Sequence, residues 1–560
     1  MKCKIRNKGE VELLDSDFIS EGGEAKIFGK DNLVYKIYLS QKNMIPEGKI
    51  LELGKLDKPN IVRPLDILKD KKDQNVGFTM SWIKDGVPLC KLFTNDYRNR
   101  MGVKPNNIID LVKDIQTTVD FIHGKKCLMI DGNEMNYLVK QGTHSQSYFI
   151  DVNSYQTPSY PPTVMMVSIR DYHSNKLDEL SDWFAFAIVV CQLFVGIHPY
   201  KGTYKTKMSL EERMKNNVSI FNKDVSLPKT VRDFSYIPQE YRDWFTDMFE
   251  KGMRILPPSS IGNINVQVKM HLIKSSQNCI ITLLKEYQED LLDAYQQDGH
   301  EVIRTKLKTY VDNKVEPGFN PDTKMTFLRN KLAGVSINPN NSKVIFTMNN
   351  GTINERGFSA QDIFEIDNQI FIKQNDKICH LYFCDGLSQI FLSIDKSWQC
   401  MPNATQILQG FAYQNILGKS WLMIPHLYED KLMCYNAYIK ELDGFKILEG
   451  KYSNHVCQII GRKNNEFSKI IIKFDKKFTT YSVREIPNID IHELNFTVLE
   501  NGIVINMNKD DELEIFRNDP ANNDLKVIKD KQISMDMKLC SFGITAMIFQ
   551  GNKLYSITLK

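Results

Sequence analysis

Three polar residues in the first half of the chain have the types and order that phosphoryl transfer requires. Asp131 and Asn136 stand five apart in LMIDGNEMNYLV, and Asp151 closes the apolar run of SYFIDVNSYQ. Moving a phosphoryl group needs a carboxylate beside the attacking hydroxyl and hard oxygen ligands for magnesium. Asp131 suits the first role, and Asn136 and Asp151 suit the second. Upstream, ISEGGEAKIF and LVYKIY set Gly22 and Gly23 between two strand-like runs and Lys36 inside the second. Glycines at such a turn let the backbone approach a phosphate closely, and Lys36 adds an ammonium. An ordinary Gly-Gly hairpin carrying a half-exposed lysine has the same pattern, so this segment alone leaves both readings open.

The elements that must position these residues change character along the chain. Within 106–123, Ile108, Leu111, Ile115, Val119 and Ile122 recur at steps of three and four, which predicts a helix with one apolar face. The run 182–195, DWFAFAIVVCQLFV, is apolar nearly all round and predicts a buried helix capped by Asp182. Strand-like runs at 33–39 and 76–83 precede both helices, so the expected class is α+β with two lobes. After about residue 275 the period falls to two, as in QIFIKQNDKICHLYF and TVLENGIVINMNKDDELEIF, which predicts consecutive hairpins. Blades of about 40–45 residues would give roughly six, and a β-propeller is the expected architecture. No repeat motif is visible, and a double sandwich or another all-β array is the alternative. The junction is expected in 253–274, around Pro257, Pro258, Ser259 and Ser260.

Composition narrows the function classes. At 560 residues the chain exceeds what one core supports, which is about 250–300 residues. A net charge of +4 on a protein of this size gives no field for steering onto nucleic acid. The eleven cysteines are scattered without a C-x-x-C pair, which disfavours both a disulfide framework and a structural zinc site. The start lacks a signal-peptide core, and the longest apolar run, 184–197, is shorter than the roughly 20 residues that span a bilayer. A cytoplasmic protein without nucleic-acid or membrane partners is expected. Cys379, His380 and Cys384 lie close together but have no second ligand pair, so a core or surface role, not metal binding, is expected for them. His123 and His198 are read as structural, and Lys69, Lys71 and Lys72 as a solvated loop.

Taken together, the Gly-rich turn, the strand lysine, D-x4-N, the later Asp and the Asp-headed apolar helix resemble the protein-kinase fold over roughly residues 10–258. GGEAKIF is similar to the GGEG-x-I/V-Y loop of a bacterial branch of eukaryotic-like serine/threonine kinases. IDVNSYQ resembles that branch's IDxDSxQ, and SDWFAFAIVVCQLFVGIHPYKG its helix ending in G-x-HPF-x-G. The resemblance implies a kinase-like domain at 1–260, with an N-lobe to about residue 83 and a C-lobe from about 84. A linker at 261–278 and the all-β domain at 279–560 would follow.

It further implies ATP and Mg2+ as cofactors, with Asp131 as the catalytic carboxylate and Asn136 and Asp151 on metal. Lys36 would sit on the phosphates, paired with Glu47 or, failing that, Glu52. Met80 would back the adenine pocket, with Ser81 to Ile83 as the hinge. Asp182 would tie down the loop around Asp131, and Asp171 would take a structural ion pair. The sequence departs from the family pattern in three places. H-R-D reads Met129-Ile130-Asp131, the catalytic lysine is replaced by Asn133, and D-F-G reads Asp151-Val152-Asn153. Asn133 retains a hydrogen-bond donor at the transferring group. The implied activity is ATP-dependent phosphorylation of protein hydroxyls, with the β domain recruiting substrate or partner proteins. The alternative is a nucleotide-binding pseudokinase scaffold.

Overall fold

The computed structural model describes residues 1–6, 8–163, 166–259, 278–317, 319, 322–328, 331–348, 353–385, 390–428, 431–489 and 493–559. They form two compact units, one before residue 260 and one after 277. The expected linker lies outside the described residues except for Asn278.

The first unit is α+β. Its sheet has seven strands: β1 Lys2–Ile5, β2 Gly9–Glu12, β3 Phe18–Glu21, β4 Ala25–Lys30, β5 Leu33–Tyr38, β6 Ile67–Lys69 and β7 Asn75–Ser81. They are ordered β2-β1-β6-β7-β5-β4-β3, so β5 lies inside the sheet between β4 and β7. That placement explains why LVYKIY is apolar except for Lys36. Gly77 lies opposite Ile37, and a Cβ there would come 2.0 Å from the Lys36 carbonyl oxygen. Glycine is what lets β7 lie this close to the strand carrying Lys36.

Six α-helices are described in this unit: α1 Glu47–Leu53, α2 Asn95–Arg100, α3 Pro105–Gly124, α4 Glu179–Val195, α5 Leu210–Lys215 and α6 Gln239–Phe249. A small sheet of β8 Gly86–Pro88, β9 Tyr137–Lys140 and β10 Ser147–Phe149 lies among them in sequence. Every residue of α4 from Asp182 to Val195 is buried, as its all-round apolar character requires. The cap differs from expectation. Asp178, not Asp182, caps α4 by accepting from the Ser181 amide at 3.1 Å, because the helix starts one turn earlier at Glu179. Asp182 is thereby free to reach another segment. Asp171 forms a buried two-pronged ion pair with Arg254, at 2.6 and 2.7 Å, and the guanidinium lies over the Phe184 ring of α4.

The second unit is all-β and contains, among the described residues, seven four-stranded antiparallel sheets, one more than expected from blade length. Seven sheets over residues 279–559 average about 40 residues each, the low end of the expected blade length, and one sheet is assembled from both ends of the region. In it, Cys279–Glu286 pairs with Lys553–Leu559, followed by Thr545–Gln550 and Lys538–Phe542. The other six are built from consecutive strands spanning 291–317, 324–359, 362–399, 405–438, 446–487 and 496–528. Neighbours in this order share apolar cores. Val302 and Met325 belong to one buried cluster, Val344 and Ile370 to another, Phe371, Phe411 and Ile472 to a third and Val456 and Val504 to a fourth. The two-ended sheet packs against 291–317 through Met547 and Ala294, and meets 496–528 through a Thr497–Ser541 hydrogen bond of 2.9 Å. The succession of sheets therefore closes on itself. Turns from four of them line a cavity of about 250 Å3 that includes Gln296, Asp298, Asn368, Glu500 and Ser541.

In the sheets 405–438 and 446–487, a turn folds the Phe478 ring inward at φ +53, with His426 and His455 at ring distances of 4.8 and 5.1 Å. Among the described residues His426 Nε2 and His455 Nδ1 are buried without hydrogen-bond partners. Burial holds both imidazoles below their ordinary pKa. His426 lowers His455 further, and Asp475 opposes that effect. Because each folded pKa lies below the unfolded value of about 6.5, their contribution to stability is complete above that pH and is lost on acidification. The thermal midpoint of wild type is expected to fall more steeply between pH 7 and pH 5 than that of His426→Phe. Parallel slopes in scanning calorimetry would contradict this.

Candidate active site

Lys36 extends from β5, and its Nζ lies 3.8 Å from Asp151 Oδ1 and donates to Asn153 Oδ1 at 3.3 Å. The same ammonium stands 5.5 Å from the ring centroid of Tyr38, whose hydroxyl is kept protonated first by burial and then by nearby carboxylates. Lys36 and Asn153 are buried, whereas the Asp151 side chain is 57% exposed. Asp151 adopts a left-handed conformation, φ +56, which Asp tolerates better than most residues. The backbone just before it joins this group to the next one, since the Ile150 amide donates to the Asn136 carbonyl at 3.0 Å.

Asn136 donates from Nδ2 to Asp131 twice, to the carbonyl at 2.7 Å and to Oδ2 at 3.2 Å. Asp131 Oδ1 accepts from the Met166 amide at 3.0 Å. The loop that presents Asp131 is held in place by α4. Asp182 accepts from the Met129 and Ile130 amides, both at 2.7 Å, and contacts His123 Nε2 at 2.9 Å. Ile130 has φ +61, a sterically strained value for a β-branched residue. Three contacts to one buried carboxylate offset that strain. Lys36, Asp151, Asn136 and Asp131 thus stand in one connected run, although they come from β5 and two loops.

Other expected residues lie nearby or elsewhere. Gly22 and Gly23 form the turn between β3 and β4, and apart from their chain neighbours no atom of the described residues lies within 4 Å of where a Cβ would project. Met80 and Ser81 end β7 opposite Val34 and Leu33, and Ile83 packs against Gly86.

Glu47 is not the partner of Lys36. It forms an ion pair with Arg6, because the inward face of α1 is made by Lys49, Ile50 and Leu53 and leaves Glu47 at the surface. Glu52, the fallback, accepts from the Ser159 amide at 3.2 Å. Asn133 turns onto its own loop, accepting from the Met135 amide at 2.9 Å and donating to the Asp131 carbonyl at 3.3 Å. Both ends of its amide brace the loop. In the second unit, His380 contacts Gln369 and Asp395, and Cys379 contacts Gln374. The Cys384 side chain lies outside the described residues.

Sequence reasoning missed Asn153 and Lys49. Lys49 is a fully buried α1 lysine bonded to the Pro161 carbonyl at 2.9 Å, and burial pushes its pKa down to about 8. The one available signal was its place on the same helix face as Ile50 and Leu53.

The oxygens of Asp151 and Asn136 are of the type that hard divalent cations take, and among the described residues no group of three or more His, Cys, Asp or Glu side chains is placed to hold a metal ion. Asp151 offers a half-exposed carboxylate, and Asn136, with its amide nitrogen committed to Asp131, keeps Oδ1 out of those bonds. Lys36 supplies positive charge next to Asp151, and Asp131 supplies a carboxylate fixed by two donors. Among the described residues no helix is long and apolar enough to cross a membrane. No family model matches the chain, and no curated protein matches it.

Proposed function

We propose that the chain is an ATP- and magnesium-dependent serine/threonine protein kinase, joined to a β-propeller that recruits substrate or partner proteins. The observation that carries this reading is the connected run from Lys36 through Asp151 and Asn136 to Asp131. In this reading residues 1–260 are a bilobal kinase-like domain divided near residue 83, 261–278 a linker and 279–560 the propeller. The closed succession of seven sheets supports the last assignment.

Asp131 orients the substrate hydroxyl and takes its proton, while Lys36 and the Gly22-Gly23 turn orient the phosphates. Asn136 and Asp151 would hold magnesium, which when bound offsets charge on the phosphate oxygens. Positioning and fixed charge supply most of the acceleration. The ten described cysteines are all free thiols, which supports a reducing, cytoplasmic setting.

A second reading, a nucleotide-binding pseudokinase scaffold, is favoured by one observation. Asn133 is committed to its own loop, so it adds nothing to the charge at the transferring group. Both readings predict binding. Mg-ATP at about a hundred times its Kd stabilises a two-state fold by about 2.7 kcal/mol, so the melting midpoint of wild type is expected to rise while that of Asp151→Ala rises much less. Equal midpoints with and without Mg-ATP would remove both readings.

A further inference from the structure

A lysine that orients phosphates must itself be held, because a long side chain with a free ammonium samples many rotamers. The carboxylates of α1 do not hold it here. Glu47 is bound to Arg6 and Glu52 to the Ser159 amide, and α1 is fixed in this arrangement by Lys49 on the Pro161 carbonyl. Gly48 also lies against the Tyr160 hydroxyl, where any Cβ would come within 2.0 Å. What meets Lys36 instead is the short turn Val152–Ser154 and the Asp151 that precedes it.

Of the two contacts from that turn, the one from Asn153 is the hydrogen bond. Asp151 lies at 3.8 Å and is more than half exposed, while the Asn153 amide oxygen is at 3.3 Å on a residue only 7% exposed. The turn geometry also fixes Asn153. Ser154 donates from both its amide and its hydroxyl to the Asp151 carbonyl, at 3.0 and 2.8 Å, and the Tyr155 amide donates to Val152. The Tyr38 ring covers the ammonium as well, so a neutral oxygen and a π face hold the cation without consuming its charge.

We propose that Asn153 is the positioning residue for Lys36, in place of an acidic residue on α1. This rests on the phosphoryl-transfer reading for its consequence in catalysis, but not for the hold on Lys36 itself. A neutral anchor leaves the full positive charge of Lys36 for phosphate, and it leaves Asp151 available to a cation. It also makes the orientation of Lys36 depend on the 151–154 turn and not on the position of α1.

The test uses the full-length chain and reads Lys36 directly. Acylation of Lys36 by a small amine-reactive ester, quantified on the peptide by mass spectrometry at fixed pH, is expected to speed up at least fivefold in Asn153→Ala. In Asn153→Asp, which restores an oxygen to the ammonium, the rate should return to within twofold of wild type. In the same proteins, ATP titrations of phosphate transfer should give a KM for ATP about tenfold higher in Asn153→Ala, with kcat changed by less than threefold, while Asn153→Asp, which holds the ammonium but takes up its charge, should leave KM raised. A purely structural role would lower kcat and stability together and would not be rescued by Asp. Unchanged Lys36 acylation in a folded Asn153→Ala protein overturns the assignment. If wild type transfers no phosphate, the kinase reading fails, while the acylation rates still decide what holds Lys36.

Discussion

Asp131→Asn is expected to lower phosphate transfer about a thousandfold while leaving the melting midpoint nearly unchanged. The magnitude follows from the range of roughly 10^2 to 10^4 that a positioned general base contributes. The small effect on stability follows from shape, since the amide fills the space of the carboxylate and can still accept from the Met166 amide on one side. On the other side, the Asn136 donation to Oδ2 at 3.2 Å, the longer of its two bonds to residue 131, is lost. The carbonyl of residue 131, which takes the stronger bond from Asn136 at 2.7 Å, is untouched by the substitution. A variant that loses activity only because it unfolds would fail this expectation, so rate and melting are measured on the same preparation.

Asp182→Ala should have the largest effect on stability. It removes the acceptor for the Met129 and Ile130 amides and for His123 within a buried site, and it leaves the strained Ile130 backbone without what holds it. Leaving buried donors without their acceptor costs about 1–3 kcal/mol for each group, which over these three contacts and for a domain of this size corresponds to a midpoint lowered by on the order of 10 °C. Activity should fall as well, because Asp131 is carried by the same loop. Calorimetry together with amide exchange at Met129 and Ile130 checks both parts. A midpoint within 2 °C of wild type would mean that the loop is held by other means.

Local pattern made much of this architecture legible in the sequence. The apolar steps of 106–123 and the apolar run of 182–195 became α3 and α4, and LVYKIY became an interior strand with Lys36 on it. The hairpin runs after residue 275 became paired strands for the same reason, since a period of two encodes one buried face. The order Lys36, Asp131, Asn136, Asp151 was readable because each residue type has a distinct chemical use.

What the sequence did not reveal depends on contacts between distant segments. Arg6 and Glu47 are 41 residues apart, and nothing in PEGKILEL indicates that a cation from the loop after β1 will take the first glutamate of α1. Asn153 meets Lys36 across 117 residues. The sheet built from 279–286 and the last three strands needs the whole region to be folded before its register exists, and periodicity alone does not pair those ends. The misplaced cap has a simpler cause. Asp182 directly precedes the apolar run whereas Asp178 precedes Glu179, so periodicity favours Asp182, and only the direction in which α4 buries Asp182 separates a capping aspartate from one that reaches another loop.

The most direct test of the central claim is incorporation of labelled γ-phosphate, from Mg-ATP, into the full-length chain and a generic protein substrate, comparing wild type with Asp131→Asn and Asp151→Ala. Label is expected on serine or threonine with wild type and near background with both variants. Equal incorporation by all three proteins, or none by wild type while Mg-ATP still raises its melting midpoint, would contradict phosphoryl transfer at this site.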